Sequence, residues 1–529
     1  MIKKYDKNIA RITGSFIISG FHSKKADKKF EEFVCRYNFL GIIFFYRNIE
    51  SFSQVRTLCE KAQRISLKNI GMPLIICVDQ EGGYVGRFRK REILYPSPMA
   101  LNASNSKKYL HSAGYFPNLF LRWMGFNTNL GPVLDVYTNP LNPSLGPRSF
   151  AGDPASVVKS SREWIKGAKK TGMLLTAKHF PGKGRSKKDS HLDLPKVKAI
   201  KKNILNYDLI PFKDAVKNGI DMVMTSHAWY TCFEKRKKPA TLSKKINTDL
   251  LRKIMKFKGL LLTDDIEMQA IGKNYSVGEA AVKAIKSGAD AVLVCKSKKN
   301  IHNVFDAIYK SIVNGEICLD LIEKSMKRKN IIRNRILRMM KKTIDDDLFK
   351  RERKRSIDIQ KKESHKVITV IKGRNNIPFK KEEKILAVIP FKHPRILVED
   401  RKNELIDFKK LLEKKGYNKR IRFILYKSIG QLKRKIEKSD KNNLILLLTN
   451  DLFNDKLQKD AFDYISLKFN KVTGVIVKNP VDKRYLLKKC AVLIATYCFT
   501  YDVQSALVDV LFEKNGKGKI SKVLKKTKQ

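Results

Sequence analysis

Apolar positions gather in short dense runs separated by longer segments of helical spacing. Eight such runs punctuate the first part of the chain: SFIISGF (15–21), GIIFFY (41–46), PLIICVD (73–79), TNLGPVLDV (128–136), MLLTAKHF (173–180), MVMTSHA (222–228), GLLLTDD (259–265) and AVLVC (291–295). Most are aliphatic at consecutive positions, as strands buried on both faces must be. The segments between them, such as DKKFEEFVCRYN, PASVVKSSREWIKGAKK, LSKKINTDLLRKIMKF and SVGEAAVKAIKSG, place apolar residues three and four apart, the spacing of a helix with one buried stripe. Asp153 before Pro154, and Ser243, stand where helix-capping residues belong. Strand alternating with helix predicts a parallel sheet with right-handed crossovers, and eight repeats predict a closed (β/α)8 barrel of the TIM type.

Beyond about residue 320 the pattern changes. Residues 322–365 are highly charged and helical in spacing, with weak core potential. From Lys366 apolar runs return: KVITVI, KILAVIPF, IRFILY, NLILLLTN, GVIVKN and CAVLIATY. These predict a second, smaller, open α/β domain. The expected division is a barrel over 1–340, a helical connector over 341–365 and the second domain over 366–529.

Polar residues cluster at the C-terminal ends of the barrel runs: Asp79, Lys178 with His179, His227, and Asp264 with Asp265. In a parallel barrel these ends share one face, where barrel enzymes keep their chemistry. Asp189 and His191 lie two apart in a Gly-, Ser- and Lys-rich loop. In an extended loop both side chains leave on one side, and a carboxylate on one imidazole nitrogen raises the basicity of the other. His191 is thus a candidate general acid/base, although an Asp-x-His in a solvated loop is common. Asp264 and Asp265 end a strand too apolar to welcome charge. One is expected to act as a nucleophile, kept ionised by Lys178 and Arg148, and the other to cap the following helix. Asp79 and Arg87 suit directional hydrogen bonds to sugar hydroxyls, or form an ordinary surface salt bridge; Arg148 stands in a similar loop.

Charge changes this picture little. The 529 residues carry 110 Lys+Arg against 51 Asp+Glu, a formal net charge of +59. Such a field attracts nucleic acid or acidic lipid nonspecifically. The lysines are spread along the whole chain rather than gathered in a stripe, so no specific nucleic-acid partner is expected. The eight cysteines have neither zinc-type nor redox-type spacing and read as small buried hydrophobes in a reducing compartment. The N-terminal apolar piece is too short and interrupted for a signal segment, and no run approaches membrane-spanning length. A cytoplasmic protein without a membrane partner is expected. No ligand cluster calls for a metal, and no cofactor is expected. The oligomeric state is not legible.

Several motifs in order carry a family resemblance. KHFPGKGRSKKDSH resembles the K-H-F-P-G-H-G-x4-D-S-H signature of the β-N-acetylglucosaminidase branch of glycoside hydrolase family 3. VDQEGGYVGRF is similar to that branch's sugar-binding segment, GPRSFAGDP to its arginine loop and GLLLTDDIEM to its nucleophile strand. The second domain resembles, more loosely, the α/β sandwich domain of many members. The resemblance implies Asp264 as nucleophile, His191 as general acid/base with Asp189 as its partner, and Asp79, Arg87, Arg148, Lys178 and His179 as binders of a terminal N-acetylglucosamine. It implies a retaining exo-hydrolase that takes small carbohydrates, muropeptide fragments or chito-oligosaccharides, without a cofactor. Phosphorolysis or a β-glucosidase on the same scaffold, and a catalytically silent binder of anionic polymers, are the alternatives. Two departures stand out: Lys183 replaces the family's usual His, and Tyr84 its usual Arg. The first, not at the catalytic position, is expected to leave activity intact but to alter loop geometry and aglycone preference, the second the pocket rim.

Overall fold

The computed structural model describes residues 5–187, 189–190, 192–391 and 404–513. Each of the eight apolar runs supplies a strand: β1 (Ile17–Gly20), β2 (Gly41–Phe44), β3 (Ile75–Val78), β4 (Thr128–Asn129), β5 (Leu174–Phe180), β6 (Met222–Thr225), β7 (Leu260–Asp265) and β8 (Ala291–Val294). They close into a parallel barrel in sequential order, with β8 paired to β1. Period-two alternation sorts the side chains. Ile75, Cys77, Met222, Met224, Leu260 and Leu262 pack together in one cluster, and Ile76, Val78, Val223 and Leu261 belong to another that includes residues of the surrounding helices. Ile332 and Ile336, on the helix Leu319–Lys341, join the first of these clusters.

Two strands break the alternation where chemistry is expected. Between β7 and β8, Leu262 pairs with Ala291 and Asp265 with Leu293, so three steps on β7 face two on β8. Between β5 and β6, Lys178 pairs with Met224 and Phe180 with Thr225. An extra residue of this kind kinks a strand and re-aims its side chains. Consecutive residues therefore face one cavity at both places: Lys178 with His179, and Asp264 with Asp265.

The helices follow the expected spacing. Lys28–Tyr37, Pro154–Lys169 and Val277–Lys286 are α-helical, and Asp153 accepts the Ser156 N–H at 2.9 Å as the cap of the second. Lys245–Ile254 is wound wider, as a π-helix; Ser243 still accepts the Ile246 N–H, at 3.3 Å. The charged segment departs from expectation. Its second helix, Asp346–Glu363, is packed rather than peripheral. Phe349 stacks on Trp123 with ring centroids 4.1 Å apart, and Ser356 donates to the Glu92 carbonyl at 2.7 Å. A few apolar and small polar residues on one helix face suffice where the partner face supplies acceptors.

The second sheet contains β9 (Thr369–Lys372), β10 (Ile385–Pro390), β11 (Ile421–Tyr426), β12 (Leu444–Thr449), β13 (Lys471–Ile476) and β14 (Val492–Ala495). Its order is β9-β14-β13-β12-β10-β11, with β9 antiparallel and the others parallel. It meets the barrel through polar contacts. Tyr84 donates to the Val477 carbonyl at 2.8 Å, Ser97 to the Tyr497 carbonyl at 3.0 Å, and Tyr137 to Asn479 at 3.2 Å. Tyr84 therefore docks the second domain, and is not among the residues that line the cavity at the strand ends. Cys59, Cys77, Cys295, Cys490 and Cys498 are buried as expected, whereas Cys35 and Cys232 are half-buried and Cys318 is exposed. Among the described residues, no helix is long and apolar enough to cross a membrane.

Candidate active site

A cavity of about 320 Å³ opens over the C-terminal ends of the barrel strands. That is the size of a site for one small ring. Its walls include Asp79, Arg87, Arg148, Lys178, His179, Lys183, Asp264 and Asp265, interleaved with Ile43, Phe45, Leu130, Met224 and Leu293. A larger hollow of about 900 Å³ lies elsewhere, walled by residues such as Tyr5, Arg11, Tyr37, Phe305 and Lys310, with Asp306 as its acid. Among the described residues it has no second acid beside Asp306.

Charge in the strand-end cavity is organised in pairs. Lys178, only 2 % exposed, places Nζ 2.7 Å from Asp79 Oδ1 and 2.7 Å from Glu81 Oε1. Arg87 reaches Asp79 Oδ2 at 3.3 Å. Arg148 grips Glu81 with both Nε and Nη2, at 2.9 and 2.8 Å. Such bidentate pairing fixes both groups in position. Burial pushes the Glu81 carboxyl up, but Arg148 and then Lys178 outweigh it and hold it down at about 2. Burial likewise opposes the charge of Lys178, and Asp79 and Glu81 restore it. The expectation that Lys178 and Arg148 sustain Asp264 is therefore corrected: their partners are Asp79 and Glu81. The Asp79–Arg87 pair is buried rather than a surface bridge.

Asp264 Oδ2 lies 3.9 Å from His179 Nε2, and Asp264 Oδ1 accepts the Asp265 N–H at 2.9 Å. His179 is oriented from behind. Its Nδ1 lies 2.7 Å from Asp135 Oδ2, and Asp135 also accepts the backbone N–H groups of His179 at 3.2 Å and Lys183 at 2.6 Å. With donors converging on this carboxylate, Nδ1 is the ring nitrogen that donates to Asp135, and Nε2 faces Asp264. Burial raises the Asp135 carboxyl, against the pull of Lys183 and Arg148.

Asp265 does not cap the next helix, which begins after Met268 with no side-chain cap. Its Oδ1 instead accepts the Glu267 N–H at 3.1 Å. Burial, then repulsion from Glu267, pushes its carboxyl up to about 7. Between about pH 4 and 7 the folded chain thus holds a proton the unfolded chain has lost, so this group's contribution to stability falls as pH rises. Asp265→Asn removes that dependence. The melting temperature of the variant relative to the parent is expected to be higher at pH 8 than at pH 4, read by calorimetry at both values.

Asp189 is buried, and its carbonyl accepts the N–H groups of Leu192 at 3.0 Å and Asp193 at 3.1 Å. The next carbonyl, of Ser190, accepts the Ala270 N–H at 3.1 Å, tying the loop to the segment after β7. His191 lies outside the described residues, so the pairing of Asp189 with His191 is not described. His227 is buried against Thr241, at 2.7 Å, and the Asp265 carbonyl, at 2.9 Å, beneath the cavity wall. Glu81 and Asp135 escaped the sequence reading. Glu81 had a signal: it stands two residues after Asp79, at the same strand end.

A family model for the N-terminal domain of glycosyl hydrolase family 3 matches residues 8–332, more than half of the chain. The chain belongs to glycosyl hydrolase family 3. This hydrolase is 34% identical over 270 residues to a protein of Photobacterium profundum named beta-hexosaminidase, covering 51% of this chain and 78% of that one. It is 32% identical over 271 residues to a beta-hexosaminidase of Haemophilus influenzae, covering 50% and 75%. Its whole architecture is similar to the solved family 3 beta-N-acetylglucosaminidase of Paenibacillus sp. FPU-7, with a TM-score of 0.87 and 26% identity over 97% of this chain and 99% of that one. The (β/α)8 barrel followed by a smaller α/β domain is thus the arrangement of a known family 3 enzyme.

Proposed function

We propose that this hydrolase is a retaining exo-β-N-acetylglucosaminidase, with Asp264 as nucleophile, His191 as general acid/base and Asp189 as the partner that orients His191. The observation that carries this reading is Asp264 itself. It stands at a bulged strand end, 3.9 Å from His179, over a cavity in which Lys178, Arg87 and Arg148 are paired with Asp79 and Glu81. Asp79, Arg87, Arg148, Lys178 and His179 bind the terminal sugar. Carboxylates already holding a cation on each oxygen keep lone pairs for sugar hydroxyls, His179 Nε2 hydrogen-bonds another, and the apolar walls cover the ring faces. The relatives named beta-hexosaminidase and beta-N-acetylglucosaminidase support the acetamido sugar as substrate.

In the first step an Asp264 oxygen attacks the anomeric carbon, the bond to the leaving oxygen breaks, and His191 gives that oxygen its proton. In the second, His191 takes a proton from water, the water oxygen attacks the same carbon, and the ester bond to Asp264 breaks. Two inversions retain the configuration. The aglycone is a muramic or anhydromuramic residue of a muropeptide, or a further N-acetylglucosamine. Catalysis belongs to residues 1–340, linked by 341–365 to the domain at 366–529, in a cytoplasmic enzyme of peptidoglycan recycling; the eight free cysteines support a reducing compartment. Purified protein is expected to cleave nitrophenyl N-acetylglucosaminide much faster than nitrophenyl glucoside, and to release the β-anomer first in a proton NMR time course. Faster cleavage of the glucoside, or initial release of the α-anomer, rules the reading out.

A further inference from the structure

Of the cations that wall the strand-end cavity, all but one have an acceptor among the described residues. Lys178 has Asp79 and Glu81, Arg87 has Asp79, and Arg148 has Glu81. Lys296 lies 4.0 Å from Asp265, and Arg47 donates to the backbone carbonyls of Phe21 and Cys295. Lys183 is the exception. Its residue is 3 % exposed and lines the cavity, yet among the described residues its Nζ enters neither a hydrogen bond nor an ion pair. An ammonium that opens on the cavity without a protein acceptor is left to a ligand that brings one.

Its position says which side of the cavity it serves. Burial and then Arg148 push the Lys183 pKa down, while Asp135, Asp264 and Asp189 push it back up. Lys183 opens the loop that carries Asp189, and its N–H shares Asp135 with His179, whose Nε2 lies 3.9 Å from Asp264. Its backbone is anchored independently of the side chain: the N–H donates to Asp135 at 2.6 Å and the carbonyl accepts from Asn142 at 2.8 Å. The neighbouring Gly184 cannot carry a Cβ, which would fall 1.6 Å from the Val136 carbonyl oxygen. The turn is thus set by glycine and backbone, and the lysine side chain is left over for a ligand.

We infer that Lys183 forms an oxyanion subsite on the acid/base side of the sugar pocket and makes this hydrolase select a ligand that brings a carboxylate or phosphate there. The inference rests on the N-acetylglucosaminidase reading. Two sources of the anion fit: a carboxylate on the aglycone, or free phosphate as acceptor. In the second case a phosphate dianion oxygen bonds to the anomeric carbon, the ester bond to Asp264 breaks, and Asp264 leaves as a carboxylate. The product is the sugar 1-phosphate, and no proton need be removed.

Three measurements separate the outcomes, each on the parent, Lys183→Met and Lys183→Arg. The first compares kcat/KM on a disaccharide whose aglycone bears a carboxylate with kcat/KM on neutral chitobiose. The second follows chitobiose turnover with and without millimolar phosphate, with detection of N-acetylglucosamine 1-phosphate. The third is calorimetric titration of inorganic phosphate into each protein. If the aglycone supplies the anion, Lys183→Met lowers kcat/KM on the acidic disaccharide at least about tenfold more than on chitobiose, and Lys183→Arg recovers most of the difference. If phosphate supplies it, the parent makes the 1-phosphate and binds phosphate by calorimetry, and Lys183→Met does neither. Equal losses on both disaccharides, together with phosphate binding that is absent or unaffected by Lys183→Met, overturn the inference. Lys183-dependent phosphate binding in a protein that cleaves no N-acetylglucosaminide leaves the subsite standing and removes the glycosidase reading instead.

Discussion

Asp264→Asn is expected to lower turnover of nitrophenyl N-acetylglucosaminide by about 10⁴-fold or more, the scale of loss when a covalent nucleophile is removed. The amide is nearly isosteric with the carboxylate but is too weak a nucleophile to form the glycosyl ester. Little else should change. The Asp265 N–H that bonds to Asp264 Oδ1 keeps an acceptor in the amide oxygen, and the bulge that presents the residue is set by strand pairing. The melting temperature should therefore stay near that of the parent, which separates lost chemistry from lost fold. A slow fluorinated N-acetylglucosaminide should trap the intermediate on the peptide containing Asp264, read by mass spectrometry. An adduct on any other peptide, or parental rates in the variant, would falsify the assignment.

His191→Ala is expected to cost two to four orders of magnitude, about the usual range for a general acid/base. The size of the loss should depend on the leaving group. Dinitrophenolate needs little protonation and should depart almost as fast as from the parent in the first step, whereas a sugar alcohol should hardly leave. A series of aryl glycosides of increasing leaving-group pKa measures this. Losses of one size across the series would exclude the role. Asp189→Asn should act through His191: the rate falls on poor leaving groups and the alkaline or acid limb of the pH profile shifts, while binding of N-acetylglucosamine is little changed. A variant that only loosened the loop would leave the pH profile in place.

These two outcomes bear on residues that were differently legible in the chain. Asp264 and Asp79 could be picked out because a carboxylate at the end of an aliphatic run is costly to bury and needs a reason to be there. The eight strands, the strand-helix alternation and the second open sheet were equally readable, since consecutive aliphatic residues bounded by polar turns admit few other structures. The helix at Asp346–Glu363 was harder: its mean character is polar, and only its partner face shows that Phe349 and Ser356 have somewhere to pack.

What composition and spacing determined was therefore the barrel, the face on which its polar residues collect and most of the residues that collect there. Tertiary structure decided who partners whom. Lys178 and Arg148 go to Asp79 and Glu81 rather than Asp264, His179 is held by Asp135, and Tyr84 reaches the second domain. The physical reason is twofold. Ion pairs form between residues far apart in sequence, so no local pattern encodes them. Strand bulges, too, set only by pairing with a neighbouring strand, turn consecutive residues toward one cavity when alternation alone would have sent them to opposite faces.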